Sequence, residues 1–190
     1  MISWSILPNL LSLVRIFLVV PCVFWLWQRD YAGTLVVFIA AALTDGLDGG
    51  LAKRFGWVTR LGSLLDPIAD KILLGGVILT LGWQGLLPPW WVVGVIGRDV
   101  IILAGALAYR MWVGYLEGTP TSVSKLNTVL QLLSVMIVVA ESYRPSWVVP
   151  RWHLILLSVT FVTTLVSGLD YVFRTTIRAQ AERPLRIKVP

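Results

Sequence analysis

Residues 44–53 read TDGLDGGLAK and close the apolar run FIAAAL at 38–43. Residues 64–74 repeat the theme as LLDPIADKILL. Both stretches have the apolar content of a helix bound for lipid, yet each carries two aspartates. The i, i+3 spacing puts Asp45 and Asp48 on one helical face, and the i, i+4 spacing does the same for Asp66 and Asp70. A carboxylate in mid-membrane costs roughly 2.5–3.5 kcal/mol on insertion scales, so a group of four costs on the order of 10 kcal/mol, less when it lies off-centre. Their mutual repulsion adds to this, so something must offset it.

The rest of the chain agrees with a membrane setting. It has 190 residues, 57% of them hydrophobic and 14% charged. The mean hydropathy is +0.80. A soluble domain carries nearer a quarter charged residues, and this composition would leave too much apolar surface in water. The expected class is all-α and polytopic. Six spans are read at roughly 9–27, 32–52, 61–82, 88–110, 123–141 and 152–173. The joints QRDYAG, KRFGWVTR, GWQGLLPP, EGTPTS and SYRPSW are turn-like. Residues 1–173 form one membrane domain, and 174–190 a basic cytoplasmic tail expected to lie on the membrane surface.

Charge gives the orientation. With the N-terminus inside, the inner loops and tail hold Lys53, Arg54, Arg60, Arg110, Lys125, Arg174, Arg178, Arg183, Arg186 and Lys188, against Arg29, Arg144 and Arg151 outside. Both termini are therefore placed in the cytoplasm. Trp25, Trp27, Trp57, Trp83, Trp90, Trp112, Trp147 and Trp152 fall near span ends, as an interfacial aromatic belt does. The net charge of +6 fits cytoplasmic loops and anionic headgroups. No basic run is interleaved with stacking aromatics outside the spans, which argues against nucleic acid. Cys22, the only cysteine, excludes an internal disulfide and reads as an apolar core residue. The first fourteen residues carry no Lys or Arg, so no signal-peptide n-region is seen, and the bacterial cytoplasmic membrane is the simplest home.

In this orientation all four carboxylates sit at one depth, a few turns inside the cytoplasmic surface. Lys71 and Arg98 can neutralise part of their charge. A divalent cation does so better, because hard cations take oxygen ligands and Mg²⁺ needs few carboxylates when phosphate supplies the rest. Gly46, Gly49, Gly50 and Gly62 thin the helix surfaces around the aspartates, for close helix approach or for a bulky ligand.

Asp45-x-x-Asp48-Gly49-x-x-Ala52, followed by Gly62-x-x-x-Asp66-x-x-x-Asp70, resembles the signature of the CDP-alcohol phosphatidyltransferases. One position departs from it: Lys53 stands where that family carries Arg, which keeps the charge but not the bidentate fork, and Arg54 follows directly. The opening LPNLLSLVRI resembles the branch that uses glycerol-type acceptors. GRDVIILAGALAYR and PTSVSKLNTVLQL resemble cardiolipin synthases of eukaryotic type, whereas the phosphatidylglycerophosphate synthases tend to carry Gly-Lys-x-Lys-Thr in the second stretch.

The resemblance implies a six-helix enzyme, usually a homodimer, with a polar cavity open to the cytoplasm. The donor is CDP-diacylglycerol. Asp45, Asp48 and Asp66 hold Mg²⁺ or Mn²⁺, with Asp70 completing the cluster and acting as base. Gly49, Ala52, Lys53, Thr59 and Gly62 contact the cytidine diphosphate part of the lipid. A hydroxyl of phosphatidylglycerol attacks the lipid-linked phosphorus and CMP leaves, giving cardiolipin; glycerol-3-phosphate is the alternative acceptor, giving phosphatidylglycerophosphate.

Other charged residues within the spans remain open to two readings. Arg98 either links to Asp99 or the aspartate cluster, or contacts the acceptor phosphate together with Lys125, with Asn127 adding a hydrogen bond. Arg15 either snorkels to the surface or faces the cavity. Asp170 is expected to pair near Arg174. His153 lies near the outer surface and is given no catalytic role. A cation transporter or channel is the rival class, but past Lys71 the run ILLGGVILTLGW has only Thr80 as a polar side chain, which favours a one-sided cavity.

Overall fold

In a computed structural model the backbone is described for residues 7–55, 62–112, 121–149 and 151–186, and side chains for 13–44, 69, 71–106, 121–149 and 151–177. Its described elements are α1 (Leu7–Trp27), α2 (Tyr31–Phe55), α3 (Gly62–Trp83), α4 (Pro89–Trp112), α5 (Ser122–Tyr143) and α6 (Trp152–Arg186), with a 3-10 turn at Pro145–Trp147. The expected all-α class is found, with no strand among the described residues. Pro89–Ala106, Ser122–Tyr143 and Trp152–Ile177 are long and apolar enough to cross a membrane. The described parts of the other helices, Leu13–Trp27, Tyr31–Thr44 and Lys71–Trp83, are shorter apolar stretches.

The helices match the sequence-read spans to within a residue or two at most ends, and α2 and α6 outrun theirs by more. α2 continues to Phe55, and α6 runs unbroken through residue 174 to Arg186. At that junction Arg174 Nε donates to Asp170 Oδ1 at 2.6 Å, an i, i+4 pair on the helix surface.

The chain divides into two compact units, residues 1–88 with 135–150, and residues 89–134 with 151–190. In the first, α1 packs against both α2 and α3. Its described core is almost wholly apolar: Cys22 and Leu26 from α1, Val37, Phe38 and Ala41 from α2, and Ala69, Leu73, Leu74, Val77, Ile78 and Leu81 from α3. The helix ends are well defined. After α1, the Asp30 N–H reaches back to Trp25 O at 2.9 Å and the Arg29 N–H to Leu26 O at 3.0 Å, with Arg29 in the left-handed region at φ 62°. After α3, Leu86 N–H to Leu81 O at 2.9 Å and Gly85 N–H to Gly82 O at 3.1 Å repeat the arrangement, now with glycine at φ 74°. Both are Schellman ends, which ask for a left-handed residue at that position. Asp30 then caps α2, its carboxylate accepting from the Gly33 N–H at 3.0 Å.

The second unit joins α4, the first half of α5, and α6. α4 and α6 run parallel: Trp90 stacks edge-on against Phe161 with centroids 4.7 Å apart, and Trp91 Nε1 donates to Leu157 O at 3.0 Å. Gly94 allows this approach, since a Cβ there collides with the Phe161 ring. Among the interfacial tryptophans, Trp27, Trp83, Trp90, Trp147 and Trp152 are exposed, as a belt requires, whereas the neighbouring Trp91 is fully buried.

Candidate active site

The four aspartates lie on helices without a break. Asp45 and Asp48 fall within α2, and Asp66 and Asp70 within α3, so each pair shares a helical face. Thr44, one residue before the first pair, bonds back to Ala41 O at 2.8 Å, which keeps its hydroxyl satisfied within the helix. The side chains of Asp45, Asp48, Asp66, Asp70 and Lys53 lie outside the described residues, as does Thr59 altogether; Gly49, Ala52 and Lys53 are on α2, and Gly62 opens α3. Among the described residues no three His, Cys, Asp or Glu side chains gather. As a donor set, four carboxylates in two same-face pairs offer the hard oxygen ligands that Mg²⁺ or Mn²⁺ takes, and so fit such an ion.

Arg15 lies on α1, which packs against both of these helices. It is only 1% exposed, so it does not snorkel. Lys71, next to Asp70, is half-buried and engaged.

In the second unit Arg98 is 6% exposed. Its Nη1 donates to Asp99 Oδ1 at 2.7 Å. Its Nη2 donates to Ser124 Oγ at 2.6 Å and to Ser167 Oγ at 2.5 Å. The link to Asp99 is thus present, and the guanidinium joins α4, α5 and α6. Gly168 leaves space beside it: a Cβ there sits 3.4 Å from Arg98 Cγ. The Arg98 Nε–H is buried without a hydrogen-bond partner.

Lys125 is exposed in the first turn of α5, where Thr121 caps the helix by accepting from the Ser124 N–H at 3.2 Å. Asn127 is fully buried. Its Oδ1 accepts from Thr163 and Thr164, both at 2.9 Å, while its Nδ2 has no partner. Ser134 and Thr160 pair at 2.8 Å, and Gln131 lies buried between these two rungs with its amide unpartnered.

The structure therefore brings Arg98 and Asn127 into one polar seam and leaves Lys125 at its exposed end. The partners on α6, Ser167, Thr164, Thr163 and Thr160, were missed in the sequence. Their signal was the spacing of hydroxyl residues in VTFVTTLVSG at 159–168, which lines one helical face.

A family model described as CDP-alcohol phosphatidyltransferase matches residues 5–166. A Drosophila melanogaster protein named probable cardiolipin synthase (CMP-forming) is 30% identical over 189 residues, covering 87% of this chain and 56% of its own. The Rattus norvegicus cardiolipin synthase (CMP-forming) is 35% identical over 150 residues, 70% of this chain and 49% of its own. A Mycobacterium tuberculosis protein named probable phosphatidylglycerophosphate synthase is 30% identical over 175 residues, 88% of this chain and 80% of its own. The chain spans about half the length of the fly and rat proteins.

Proposed function

The chain belongs to the CDP-alcohol phosphatidyltransferase family, and from that premise we propose that it is a membrane transferase of phospholipid biosynthesis. It moves the phosphatidyl group of CDP-diacylglycerol to a glycerol-type acceptor and releases CMP. One observation carries this reading: the two aspartate pairs fall on unbroken helices, α2 and α3, that pack on a common partner, α1. That arrangement suits a compact carboxylate centre far better than a chain of polar groups across the bilayer, as transport requires.

Asp45, Asp48, Asp66 and Asp70 hold Mg²⁺ or Mn²⁺. The ion supplies charge neutralisation for the diphosphate and the departing CMP. Gly49, Ala52, Lys53, Thr59 and Gly62 bind the cytidine diphosphate part of the donor. Asp70 takes the proton from the attacking hydroxyl, whose oxygen forms the new bond to phosphorus as the bond to CMP breaks. Arg98, Lys125 and Asn127 serve the acceptor, the two cations facing its phosphate. The active side is cytoplasmic in a bacterial inner membrane, and the working form is a homodimer.

The preferred acceptor is phosphatidylglycerol, giving cardiolipin, on the strength of Ser124-Lys125-Leu126-Asn127-Thr128 and the Arg98-Asp99-Val100 segment. Purified protein in detergent, given CDP-diacylglycerol, a divalent metal and one acceptor at a time, tests this. CMP release with phosphatidylglycerol and formation of cardiolipin is the expected result. Release only with glycerol-3-phosphate overturns the acceptor and leaves the chemistry standing.

A further inference from the structure

A buried arginine needs an anion, because a guanidinium stays charged at any physiological pH and an uncompensated ion inside protein costs several kcal/mol. Arg15 is such a residue, 1% exposed on α1, and it is engaged rather than free. Two acids of its unit have described side chains. Asp30 is exposed beyond the C-terminus of α1, and Glu141 is half-buried in the last turn of α5. The other buried polar residues of α1 to α3 among those described are Thr34 and Thr80, neither of them charged.

The packing of α1 on α3 shows what stands level with Arg15. A Cβ on Gly76 lies 3.3 Å from Val23 Cγ2 and 3.7 Å from Val19 Cγ1. Further along, Gln84 Nε2 donates to Leu26 O at 2.6 Å. Residue numbers rise together on the two strips, so the helices run parallel, and Gly76 faces the midpoint between Val19 and Val23. Moving back six residues on each helix reaches Asp70 on α3 and Arg15 on α1. At a rise of 1.5 Å per residue both lie about 9 Å from the Gly76 contact in the same direction. The buried cation and the aspartate are therefore level on neighbouring, packed helices.

We infer that Arg15 is the resident counter-cation of the carboxylate cluster, a positioning residue that steadies the Asp66–Asp70 side of α3 and sets how strongly the cluster attracts a divalent ion. This rests on the carboxylate centre proposed above. With Arg15 present the four aspartates carry a net charge of three negative instead of four, which weakens their pull on a metal.

Mn²⁺ binding to purified protein, followed by electron paramagnetic resonance without any substrate, reads this directly. Arg15→Gln is expected to bind Mn²⁺ about ten-fold more tightly or better, since a like charge near the ion is gone. Its kcat is expected to fall more than about ten-fold, with the KM for CDP-diacylglycerol and for the acceptor held within about two-fold, because the loss is in placing the base rather than in binding. Arg15→Lys keeps the charge and is expected to return Mn²⁺ affinity to the wild-type value.

Unchanged Mn²⁺ affinity in Arg15→Gln overturns the inference, as does a raised KM with kcat intact, which marks a substrate-phosphate contact instead. Absence of Mn²⁺ binding by the wild-type protein overturns the metal centre itself, which is a separate failure. Where Arg15→Gln does not fold, the pair Arg15→Gln/Asp70→Asn decides: restored folding supports the pairing of these two positions, and a double variant as unstable as the single one contradicts it.

Discussion

The two units bury different chemistry. Around α1 to α3 the described interior is aliphatic, interrupted by Arg15, Thr34 and Thr80. Around α4, the first half of α5, and α6, polar residues lead: Arg98, Asn127, Gln131, Ser134, Thr160, Thr164 and Ser167 are buried beside Trp91, Val95 and Leu157. In lipid the apolar effect does not drive helices together, so hydroxyl and amide bonds between helices, with small residues, do that work. The second unit uses this device throughout its described interior. The first unit buries one charged side chain, Arg15, among its described residues and otherwise packs mainly aliphatic side chains, with Thr34 and Thr80 bonded to their own helix turns. The first region frames the proposed carboxylate centre in apolar packing, and the second associates through shared hydrogen bonds.

If that contrast holds, substitutions in the two regions should separate turnover from stability. The largest effect is expected at Asp70. Asp70→Asn should lower CMP release by on the order of 10²–10⁴-fold, the usual worth of a general base. It should not lower the thermal midpoint in detergent, because one member of a like-charged group has been neutralised. Near-normal turnover breaks the assignment of Asp70.

Arg98→Ala should do the reverse in kind. It removes the cation bonded to Asp99, Ser124 and Ser167 and should destabilise the folded protein in mixed detergent by about 3 kcal/mol. Any turnover that survives should show a raised KM for the acceptor and a KM for CDP-diacylglycerol near wild type. Equal rises in both KM values contradict the acceptor role.

Smaller effects sharpen the picture. Ser134→Ala removes the 2.8 Å bond to Thr160, and should cost about 0.6 kcal/mol, the average for interhelical bonds of this type in a membrane. CMP release should be unchanged, and a drop in kcat would show that the seam takes part in the chemistry. The smallest effect tests the frame of the first unit. Arg29 and Gly85 occupy equivalent left-handed positions, φ 62° and 74°, after α1 and α3. Arg29→Gly should stabilise the protein by roughly 0.5 kcal/mol, the relief of left-handed strain less the added freedom of the unfolded chain.

Much of the fold was legible because long apolar runs have few alternatives in lipid. The six helices sit where the hydropathy put them to within a few residues, and of the turn-like joints QRDYAG, GWQGLLPP and SYRPSW meet helix ends while KRFGWVTR and EGTPTS lie largely outside the described residues. The ends were less legible. α6 passes through residue 174 because nothing in YVFRTTIRAQ at 171–180 stops a helix, and the Asp170–Arg174 pair supports continuation. The aspartates stood out because a charge in a span demands explanation.

The seam on α6 did not stand out, since Ser and Thr are ordinary in membrane helices and each can bond to its own backbone. Only the register between helices reveals that Ser167 meets Arg98 and that Thr163 and Thr164 meet Asn127. Likewise nothing in the dipeptide Trp90-Trp91 says which ring is exposed; the Leu157 carbonyl decides it by accepting from Trp91. Arg15 was undecided between surface and interior until the packing of α1 on α2 and α3 enclosed it.

The claim that a metal-loaded carboxylate centre on α2 and α3 does the chemistry is tested most directly by CMP release from CDP-diacylglycerol as divalent metal is removed and restored. With phosphatidylglycerol as acceptor, release should stop in excess chelator, return on adding Mn²⁺ or Mg²⁺, and fail to return in Asp48→Asn. Release that continues undiminished in chelator, or metal rescue of Asp48→Asn to the wild-type rate, would contradict it.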